Sequence, residues 1–502
     1  MGMPVLIPGR LVLDELARWV AAPGLDLVLD ESFRPKIEAA ARLVADAAAA
    51  DAATYGVNTG FGKLAQTRIS PAQVEELQKR LVLSHMCGVG RPLDDLVVRL
   101  VLVLKAASLA HGHSGVKVET IEALLTMLRH DALPVIPAKG SVGASGDLAP
   151  LAHMSGALIG VGQIRLKGET LPADEALARI GLQPLTLGAK EGLALLNGTQ
   201  VSTALAITGW WQAQALLKSG LLAGAMTVDA AKGSDTPFDP RIQKLRNQIG
   251  QGIVAAELAL LLEGSEIRES HRFGDDRVQD PYCLRCQPQV MGACWDLLSD
   301  AAGILEREAN GVSDNPLVFP EDGLILSGGN FHAEPVAMAA DRIALAMAEI
   351  GSISERRIAL LIDPSFSLLP AFLTPSPGLN SGFMIAQVTA AALQMENKHL
   401  ANPVAVESLP TSANQEDHVS MATYAARRLS DMAENLAHVL AVELMAAAQG
   451  IEFRRPLRSS PRLEKAFARI RAISPKLEDD RELGREISGV AEAVRVGHLA
   501  AI

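Results

Sequence analysis

Apolar residues recur at intervals of three and four along several long segments of the chain. In residues 419–449 this spacing places one apolar stripe along an α-helix, with Gly450 as its C-terminal stop. Segments 336–362 and 383–400 have the same periodicity. Helices of this length, without capping residues between them, predict a bundle of long antiparallel rods. The stripe in the first segment consists of Met421, Ala425, Leu429, Met432, Leu436 and Leu440.

The first half of the chain has a more broken pattern. Ser70 is suited to be an N-cap, Pro71 fits the first helical turn, and Gln73 can complete a capping box. The helix that they start is predicted to end at Gly88 and Gly90. Its apolar face carries Val74, Leu77, Leu81 and His85. Glycine-rich loops are predicted at 55–62, 140–146 and 327–330.

Composition strengthens the expectation of a helical protein. The chain has 502 residues, of which 49% are hydrophobic and only 4% aromatic. Alanine and leucine favour helices, whereas β-rich folds draw on aromatic and β-branched residues. We therefore predict a mainly α fold, with an N-terminal domain at 1–230 and a long-helix bundle domain at 231–502.

Charge and cysteine content exclude several classes of protein. The net charge is −11 and no basic run stands out, which argues against a nucleic-acid partner. The N-terminus lacks a basic segment leading into an apolar one, so no signal peptide is expected. The apolar region Gly192–Ala230 is interrupted by polar residues and indicates a core helix, not a membrane span. Four cysteines do not form a disulfide framework, and a cytoplasmic location fits.

The most unusual segment is the glycine-rich stretch Gly140–Pro150. A phosphate-binding loop would require a following Gly-Lys-Ser/Thr, which is missing. A nucleophile elbow would require glycine where Asp147 stands. A third possible interpretation is an ordinary flexible loop. A chemical alternative is cyclisation of Ala144–Gly146, in which the Gly146 nitrogen attacks the Ala144 carbonyl carbon. Loss of two waters, one involving the Ser145 hydroxyl, would leave a conjugated methylidene-imidazolone.

Residues 143–153 resemble the signature of the aromatic amino acid ammonia-lyase family, whose members build this prosthetic group from Ala-Ser-Gly. Six or more further segments, from Tyr55 to about Tyr424, share the similarity. The resemblance implies a carbon–nitrogen lyase with the aromatic amino acid lyase fold. It implies a methylidene-imidazolone formed from Ala144, Ser145 and Gly146, and neither an external cofactor nor a metal. It also implies a homotetramer whose subunits share active sites.

Magnitudes explain why such a reaction needs an electrophile. The enzyme must remove a weakly acidic hydrogen from Cβ and expel an amine from Cα. A positioned acid or base contributes roughly 10²–10⁴-fold, whereas enzymes commonly accelerate reactions by about 10⁶-fold or more. An electrophile that takes up the amino group makes it a better leaving group and supplies the missing activation.

The segment Val278–Arg285 is similar to the part of the family that carries the catalytic base. Asp280 as N-cap would start a helix that places Tyr282 and Arg285 on one face. Free tyrosine has a pKa near ~10, which a guanidinium and a helix N-terminus would lower. Without the family, a surface Tyr–Arg pair would be the commoner interpretation. By resemblance, Tyr282 takes the β-proton, Arg285 holds the substrate carboxylate, and Gln279 binds substrate.

Two further segments resemble active-site loops of the family. Tyr55–Gly62 matches the mobile inner loop, in which Tyr55 would close over the substrate and handle protons. Leu196–Thr199 matches the turn whose Asn197 lies beside the prosthetic group and the substrate carboxylate. Taken alone, each segment is also compatible with an ordinary turn.

The substrate is predicted mainly from two positions, His85 and Glu416, and Phe331 agrees with them. Histidine stands at the position of His85 in histidine-specific members, although tyrosine-specific members share it. Glutamate at the position of Glu416 is typical of the histidine branch, and Phe331 can pack against the substrate ring. An imidazole offers an N–H donor to a carboxylate, whereas a phenyl ring would leave that carboxylate desolvated. We therefore expect L-histidine to be converted to trans-urocanate and ammonia, the first step of histidine degradation.

Other interpretations remain open at this point. A tyrosine or phenylalanine ammonia-lyase, or an aminomutase, would use the same fold. A catalytically dead helical oligomer is a second alternative. A thiol-redox protein using Cys283 and Cys286 is a third, although a single C-x-x-C is weak evidence. His111 and His113 are better explained by a helix-to-loop junction than by a metal site.

Overall fold

A computed structural model describes residues 3–50, 52–60, 69–275 and 277–499. These residues are mainly α-helical, which confirms the predicted fold class. The strands are short, with bounds β1 Val5–Leu6, β2 Val28–Leu29, β3 Val89–Pro92, β4 Ala132–Pro134, β5 Pro137–Lys139, β6 Gln163–Leu166, β7 Glu169–Pro172, β8 Leu317–Phe319 and β9 Leu324–Leu326.

The α-helices have the bounds α1 Leu13–Val20, α2 Arg34–Ala49, α3 Val74–His85, α4 Asp95–Ala110, α5 Val118–His130, α6 Leu148–Leu158, α7 Ala173–Arg179, α8 Glu191–Leu196, α9 Gln200–Ala230, α10 Pro240–Arg246, α11 Ile249–Leu262, α12 Glu266–Glu269, α13 Tyr282–Arg285, α14 Gln287–Ala309, α15 Glu334–Ile362, α16 Pro364–Ser367, α17 Met384–Leu400, α18 Ala422–Glu452, α19 Pro461–Ile473 and α20 Gly484–Arg495. Short 3-10 helices lie at Glu31–Phe33, Pro71–Gln73, Thr236–Phe238, Ala371–Leu373 and Ser412–Asn414.

The long predicted helices are present, and their ends differ from the prediction by a few residues. The stripe of α18 from Ala425 to Leu440 is buried, as its periodicity predicts. The predicted stop at Gly450 is wrong, because α18 continues to Glu452. A Cβ on Gly450 would lie 2.9 Å from the Ala230 Cβ. Glycine is therefore needed there for close packing, and it does not end the helix.

The start of α3 also differs from the prediction. The Ser70 hydroxyl donates to the Gln73 side-chain oxygen at 2.8 Å, so these two side chains pair with each other. The residue that precedes α3 is Gln73, and it makes no side-chain cap. The predicted capping box is therefore wrong. The helix ends at His85, before Gly88.

Antiparallel strand pairs surround the glycine-rich loop in sequence. Strand β3 pairs with β5, and β4, β6 and β7 form a three-stranded antiparallel sheet. Strand β5 ends at Lys139 and α6 begins at Leu148, so the loop between them is anchored at both ends. The apolar region Gly192–Ala230 forms α8 and α9, which are interrupted at residues 197–199. None of the described helices is both long enough and apolar enough to cross a membrane.

Contacts group the chain into two compact units, each assembled from three segments. The predicted division into 1–230 and 231–502 stays a prediction. The first unit comprises Met1–Thr208, Ala302–Ala340 and Pro403–Arg427, and the second comprises Gly209–Ala301, Asp341–Asn402 and Arg428–Ile502.

The second unit contains a fully buried ion pair. Arg357 donates from Nε to Glu443 Oε1 at 2.5 Å and from Nη2 to Oε2 at 2.8 Å. Both side chains have 0% exposure. The hydroxyls of Thr227 and Ser354 also donate to this carboxylate, so each of its oxygens accepts two hydrogen bonds. Such a pair is tolerated in a core because every charged group has partners.

Candidate active site

The Ala144–Gly146 turn packs directly on the break between α8 and α9 in the first unit. Gly146 and Gly198 form an isolated β-bridge, and the Asp147 N–H donates to the Gly198 carbonyl at 2.7 Å. Gly146 has a φ of +71°. A Cβ at this position would lie 2.1 Å from the Gly198 oxygen, so only glycine fits.

A buried carboxylate follows the turn and holds it to two helices. Asp147 Oδ2 accepts hydrogen bonds from the Ser202 N–H at 2.7 Å and hydroxyl at 2.9 Å. Its Oδ1 accepts from the hydroxyls of Thr423 at 2.6 Å and Ser141 at 3.1 Å. Burial raises the pKa of Asp147, while these hydrogen bonds oppose that shift. Sequence reasoning assigned Asp147 no role; its position directly after Ala-Ser-Gly is the signal that could have identified it.

The chain that enters α18 holds the other end of the turn. The Ser420 hydroxyl donates to the Gly143 carbonyl at 3.0 Å, and the Met421 N–H donates to the Val142 carbonyl at 2.8 Å. Met421 has a φ of +56°, which lets the chain turn into the helix after making this contact. The glycine-rich loop is thus fixed from both sides.

Asn197 lies beside the turn and is itself fixed by a buried lysine. Its Nδ2 donates to the Ser145 carbonyl at 3.1 Å. Its Oδ1 is buried without a hydrogen-bond partner in the described part of the chain. Lys105 Nζ donates to the backbone carbonyls of Asn197 at 2.7 Å and Ala194 at 3.1 Å. Burial lowers the pKa of Lys105 to about 7. Sequence reasoning did not identify this lysine.

Glu416 contacts the central serine of the turn. Its Oε1 accepts from the Ser145 hydroxyl at 2.7 Å, and its Oε2 accepts from the Thr411 hydroxyl at 2.6 Å. The Thr411 N–H also donates to the Glu416 carbonyl at 2.8 Å. Between them, Ser412–Asn414 has three consecutive positive φ values of 50°, 53° and 64°. This strained turn holds the carboxylate in one position.

Ser145 lines two cavities. The larger has a volume of about 790 Å³, which suits a small molecule. Both are lined by Tyr55, Ser145, Asn197 and Glu416. The larger adds His85 and an apolar wall formed by Ile69, Leu77, Leu81, Leu148, Leu193 and Leu196. The smaller, of about 410 Å³, adds Ala144, Phe331, His332, Gln415, Asp417 and His418.

The hydrogen bonds of His85 define its possible role in the larger cavity. Nδ1 lies 2.8 Å from the Leu81 carbonyl and 3.0 Å from the Ser84 hydroxyl. Because a carbonyl can only accept, Nδ1 carries a proton. Nε2 is therefore the ring nitrogen that remains for a contact with a ligand.

Tyr55 lines both cavities. Of its predicted inner loop, Phe61 and Gly62 lie outside the described residues. The predicted closure of this loop over the substrate stays a prediction.

The predicted base segment belongs to the second unit. Arg285 Cζ lies 4.4 Å from the Tyr282 ring centroid, which confirms that both side chains share one face. Tyr282 is 71% exposed, and Gln279 is exposed as well. Among the described residues that line the two cavities, none comes from this segment.

The predicted helix cap in this segment is wrong. Helix α13 follows Pro281, which makes no side-chain cap. The Asp280 carboxylate instead accepts from the Ser234 N–H at 2.6 Å. The Asp280 backbone carbonyl accepts from Arg285 Nε at 3.0 Å, which orients the guanidinium. The Asp280 carboxylate, which was predicted to cap the helix, thus makes a tertiary hydrogen bond to Ser234 instead.

The C-x-x-C pair gives little support to a thiol-redox protein. Cys283 and Cys286 are both half-buried, and neither forms a disulfide. Burial raises the pKa of the Cys283 thiol, whereas reactive cysteines have a lowered pKa.

Comparison with known proteins identifies the family. Residues 11–472 match the family model described as aromatic amino acid lyase. The chain is 57% identical to histidine ammonia-lyase of Rhodospirillum rubrum, covering 99% of this chain and 97% of that protein.

Solved structures show the same fold. Histidine ammonia-lyase from Trypanosoma cruzi matches with a TM-score of 0.91 at 39% identity, covering 99% of this chain and 94% of that one. Tyrosine aminomutase from Streptomyces globisporus matches with a TM-score of 0.93 at 33% identity, covering 99% and 97%. The predicted resemblance is confirmed over nearly the whole length, and the chain belongs to the aromatic amino acid lyase family.

Proposed function

We propose that this protein is an ammonia-lyase that converts L-histidine to trans-urocanate and ammonia without oxidation, as the first step of histidine degradation. Membership of the aromatic amino acid lyase family makes the chain a carbon–nitrogen lyase, as predicted. The observation that carries the choice of substrate is the Glu416 carboxylate, which lies 2.7 Å from the Ser145 hydroxyl at the centre of the glycine-rich turn.

The residues of the turn fit the prosthetic group that Ala144, Ser145 and Gly146 would form. Gly146 occupies a cradle that a Cβ would fill. Asn197 holds the Ser145 carbonyl and has a buried Oδ1 still available as an acceptor. When formed, the methylidene-imidazolone supplies an electrophile for the substrate amino group. Asn197, Asp147 and Gly198 would hold it in place through the contacts described above.

Glu416 is suited to recognise an imidazole. Its Oε2 is held by Thr411, whereas its Oε1 is bound by the Ser145 hydroxyl. Dehydration of Ser145 removes that hydroxyl, which leaves Oε1 as an acceptor for an imidazole N–H. A phenyl ring in this place would leave the carboxylate desolvated without a partner, at a cost of several kcal/mol or more. His85 and Phe331 complete the proposed ring pocket.

Proton removal and carboxylate binding are assigned to the second unit's exposed segment. We assign removal of the β-proton to Tyr282, assisted by Tyr55, and binding of the substrate carboxylate to Arg285 and Gln279. A guanidinium binds a carboxylate through two parallel hydrogen bonds, which fixes its orientation. We assign Tyr282, Arg285 and Gln279 to a neighbouring subunit of a homotetramer. The tetramer and the cytoplasmic location stay predictions.

The test combines a product assay with the intact mass. Formation of urocanate is measured against coumarate, cinnamate and β-tyrosine, since tyrosine aminomutase shares the fold. The wild-type chain should be lighter than its translated sequence by two waters at residues 144–146. Ser145→Ala should keep full mass and lose nearly all activity. Ser299→Ala, which changes an exposed serine that lines neither cavity, should keep the mass loss and most activity.

Two results would count against this function. A full-mass wild type that forms no urocanate would reject both the prosthetic group and the reaction. Preferential formation of coumarate, cinnamate or β-tyrosine by a dehydrated chain would keep the prosthetic group and reject histidine as the substrate.

A further inference from the structure

We propose that His332, Glu334 and His418 form a binding site for a divalent transition-metal ion of the Zn²⁺ type. Each residue offers one ligand atom, and these atoms all lie within 4.8 Å of one another. The inference goes beyond the proposed elimination of ammonia and uses no step of it. It differs from the expectation from sequence that the chain has no metal site, which stays a prediction.

Both chain segments that carry the ligands are firmly held within the first unit. Glu334 is the first residue of α15, and the His332 N–H donates to the Gly329 carbonyl at 3.0 Å. His418 directly precedes Val419, whose N–H donates to the Ser408 hydroxyl at 3.0 Å. Ligands on such segments need little reorganisation when an ion binds.

The donor set is chemically suited to a transition metal. Two imidazoles and one carboxylate form a common catalytic zinc ligand set, which leaves a fourth position for water. Tetrahedral bonds of about 2.1 Å place ligand atoms roughly 3.4 Å apart. The observed limit of 4.8 Å is close enough for small side-chain rotations to complete the site.

Two independent observations point to a cation at this place. Glu334 Oε2 is buried and has no hydrogen-bond partner among the described residues. An unpaired buried carboxylate oxygen is costly, and a bound cation removes that cost. In addition, His332 Nε2 lies 3.2 Å from the His418 carbonyl. A metal-bound histidine typically donates its other ring N–H to such a carbonyl, which leaves Nδ1 with the lone pair.

The location suggests what the ion would do. His332 and His418 line the smaller cavity together with Ser145 and Glu416. An ion held by all three ligands would tie the start of α15 to the segment that carries Glu416. We therefore expect metal binding to raise the thermal unfolding midpoint, since a ligand that binds only the native state stabilises it.

The experiment uses the full-length, tag-free protein after treatment with a chelator. Zn²⁺ is titrated by calorimetry, and Co²⁺ binding is followed by its absorption spectrum. We expect one ion per chain and a Co²⁺ spectrum of nitrogen and oxygen ligands. His332→Ala, His418→Ala and Glu334→Gln should each weaken binding more than about tenfold, because even partners beyond the ligands change affinity by roughly 10–100-fold.

The matched control is His130→Ala, which removes an exposed histidine at the end of α5 and should bind like the wild type. Affinity should also fall as the pH is lowered, because protons compete with the metal ion for the imidazole nitrogens. Each variant's circular dichroism is compared with that of the wild type to exclude misfolding.

Several outcomes would overturn the proposal. These are no stoichiometric binding to the wild type, wild-type affinity in all three variants, or a Co²⁺ spectrum with thiolate charge-transfer bands. The last would show that the ion is bound by cysteine instead of by this histidine–glutamate cluster. If a variant fails to fold, the spectrum of the wild type still distinguishes these ligand sets.

Discussion

Replacement of Gly146 by alanine tests whether close backbone packing shapes the Ala144–Gly146 turn. The new Cβ would lie 2.1 Å from the Gly198 oxygen and 2.5 Å from its carbonyl carbon. These are backbone atoms, so one segment must move away by about 1 Å to reach van der Waals distance. That movement would also disturb the 2.7 Å hydrogen bond from Asp147 to Gly198.

The steric effect of the new Cβ at residue 146 can be separated from the cost of placing alanine in a left-handed backbone conformation. Gly181 has a φ of +74° and would meet nothing within 4 Å if it carried a Cβ. Gly181→Ala therefore carries only the left-handed cost of about 1–2 kcal/mol. Gly146→Ala adds a further overpacking cost of about 1–3 kcal/mol. A displacement of about 1 Å at a reacting centre can cost roughly 10²-fold in rate.

Both variants are compared by intact mass, thermal unfolding midpoint and urocanate formation. Gly146→Ala should keep the full mass of its sequence, lose at least about 10²-fold in activity, and unfold a few degrees below Gly181→Ala. Gly181→Ala should show the two-water mass loss and nearly normal activity. The reasoning fails if Gly146→Ala dehydrates and turns over substrate as well as Gly181→Ala does.

Three further predictions concern other parts of the chain. Glu416→Gln keeps the shape of the side chain but removes its charge. Because a hydrogen bond to a charged group contributes roughly 1.5–3 kcal/mol, kcat/KM for L-histidine should fall about 10–150-fold. An unchanged kcat/KM would contradict the role of Glu416. Glu443→Ala should destabilise the fold by about 3–5 kcal/mol because it leaves Arg357 buried without a counter-charge, and a thermal midpoint near that of the wild type would contradict this. Burial raises the pKa of Asp229 to about 6, above an unfolded value near ~3.9, so its stabilising contribution is full below about pH 4 and is lost as the pH rises through about 6. The thermal midpoint of Asp229→Asn, measured relative to that of the wild type, should therefore rise as the pH is raised from about 4 to about 6. Parallel pH profiles of the two proteins would refute the raised pKa of Asp229.

The sequence predicted the long helices because each must bury one continuous stripe. Their ends were less predictable, since partners distant in sequence decide them. Gly450 continues α18 because its lack of a side chain lets Ala230 approach. Asp280 does not cap α13 because the Ser234 N–H takes its carboxylate. Neither contact can be predicted from the spacing of residues in the local sequence.

The same distinction applies to the candidate site. The turn at Ala144–Gly146 could be predicted as a candidate because the proposed chemistry lies in three consecutive residues. The supporting groups were not, because they meet only in the folded chain. Lys105 reaches Asn197 from another helix, and the cluster that contains Glu334 and His418 joins two separate segments. Buried polar partners of this kind have no local periodicity from which they could be predicted.

The hydrogen bond from Thr423 to Asp147 has a consequence for the timing of biosynthesis. These residues are 276 positions apart, so a ribosome must make most of the polypeptide before the turn acquires this support. Ser420 adds its contact to Gly143 equally late. Nascent or truncated chains that end earlier should therefore stay chemically inert. The proposed methylidene-imidazolone would then arise only in the finished chain, where it would not meet stray amines and thiols during translation.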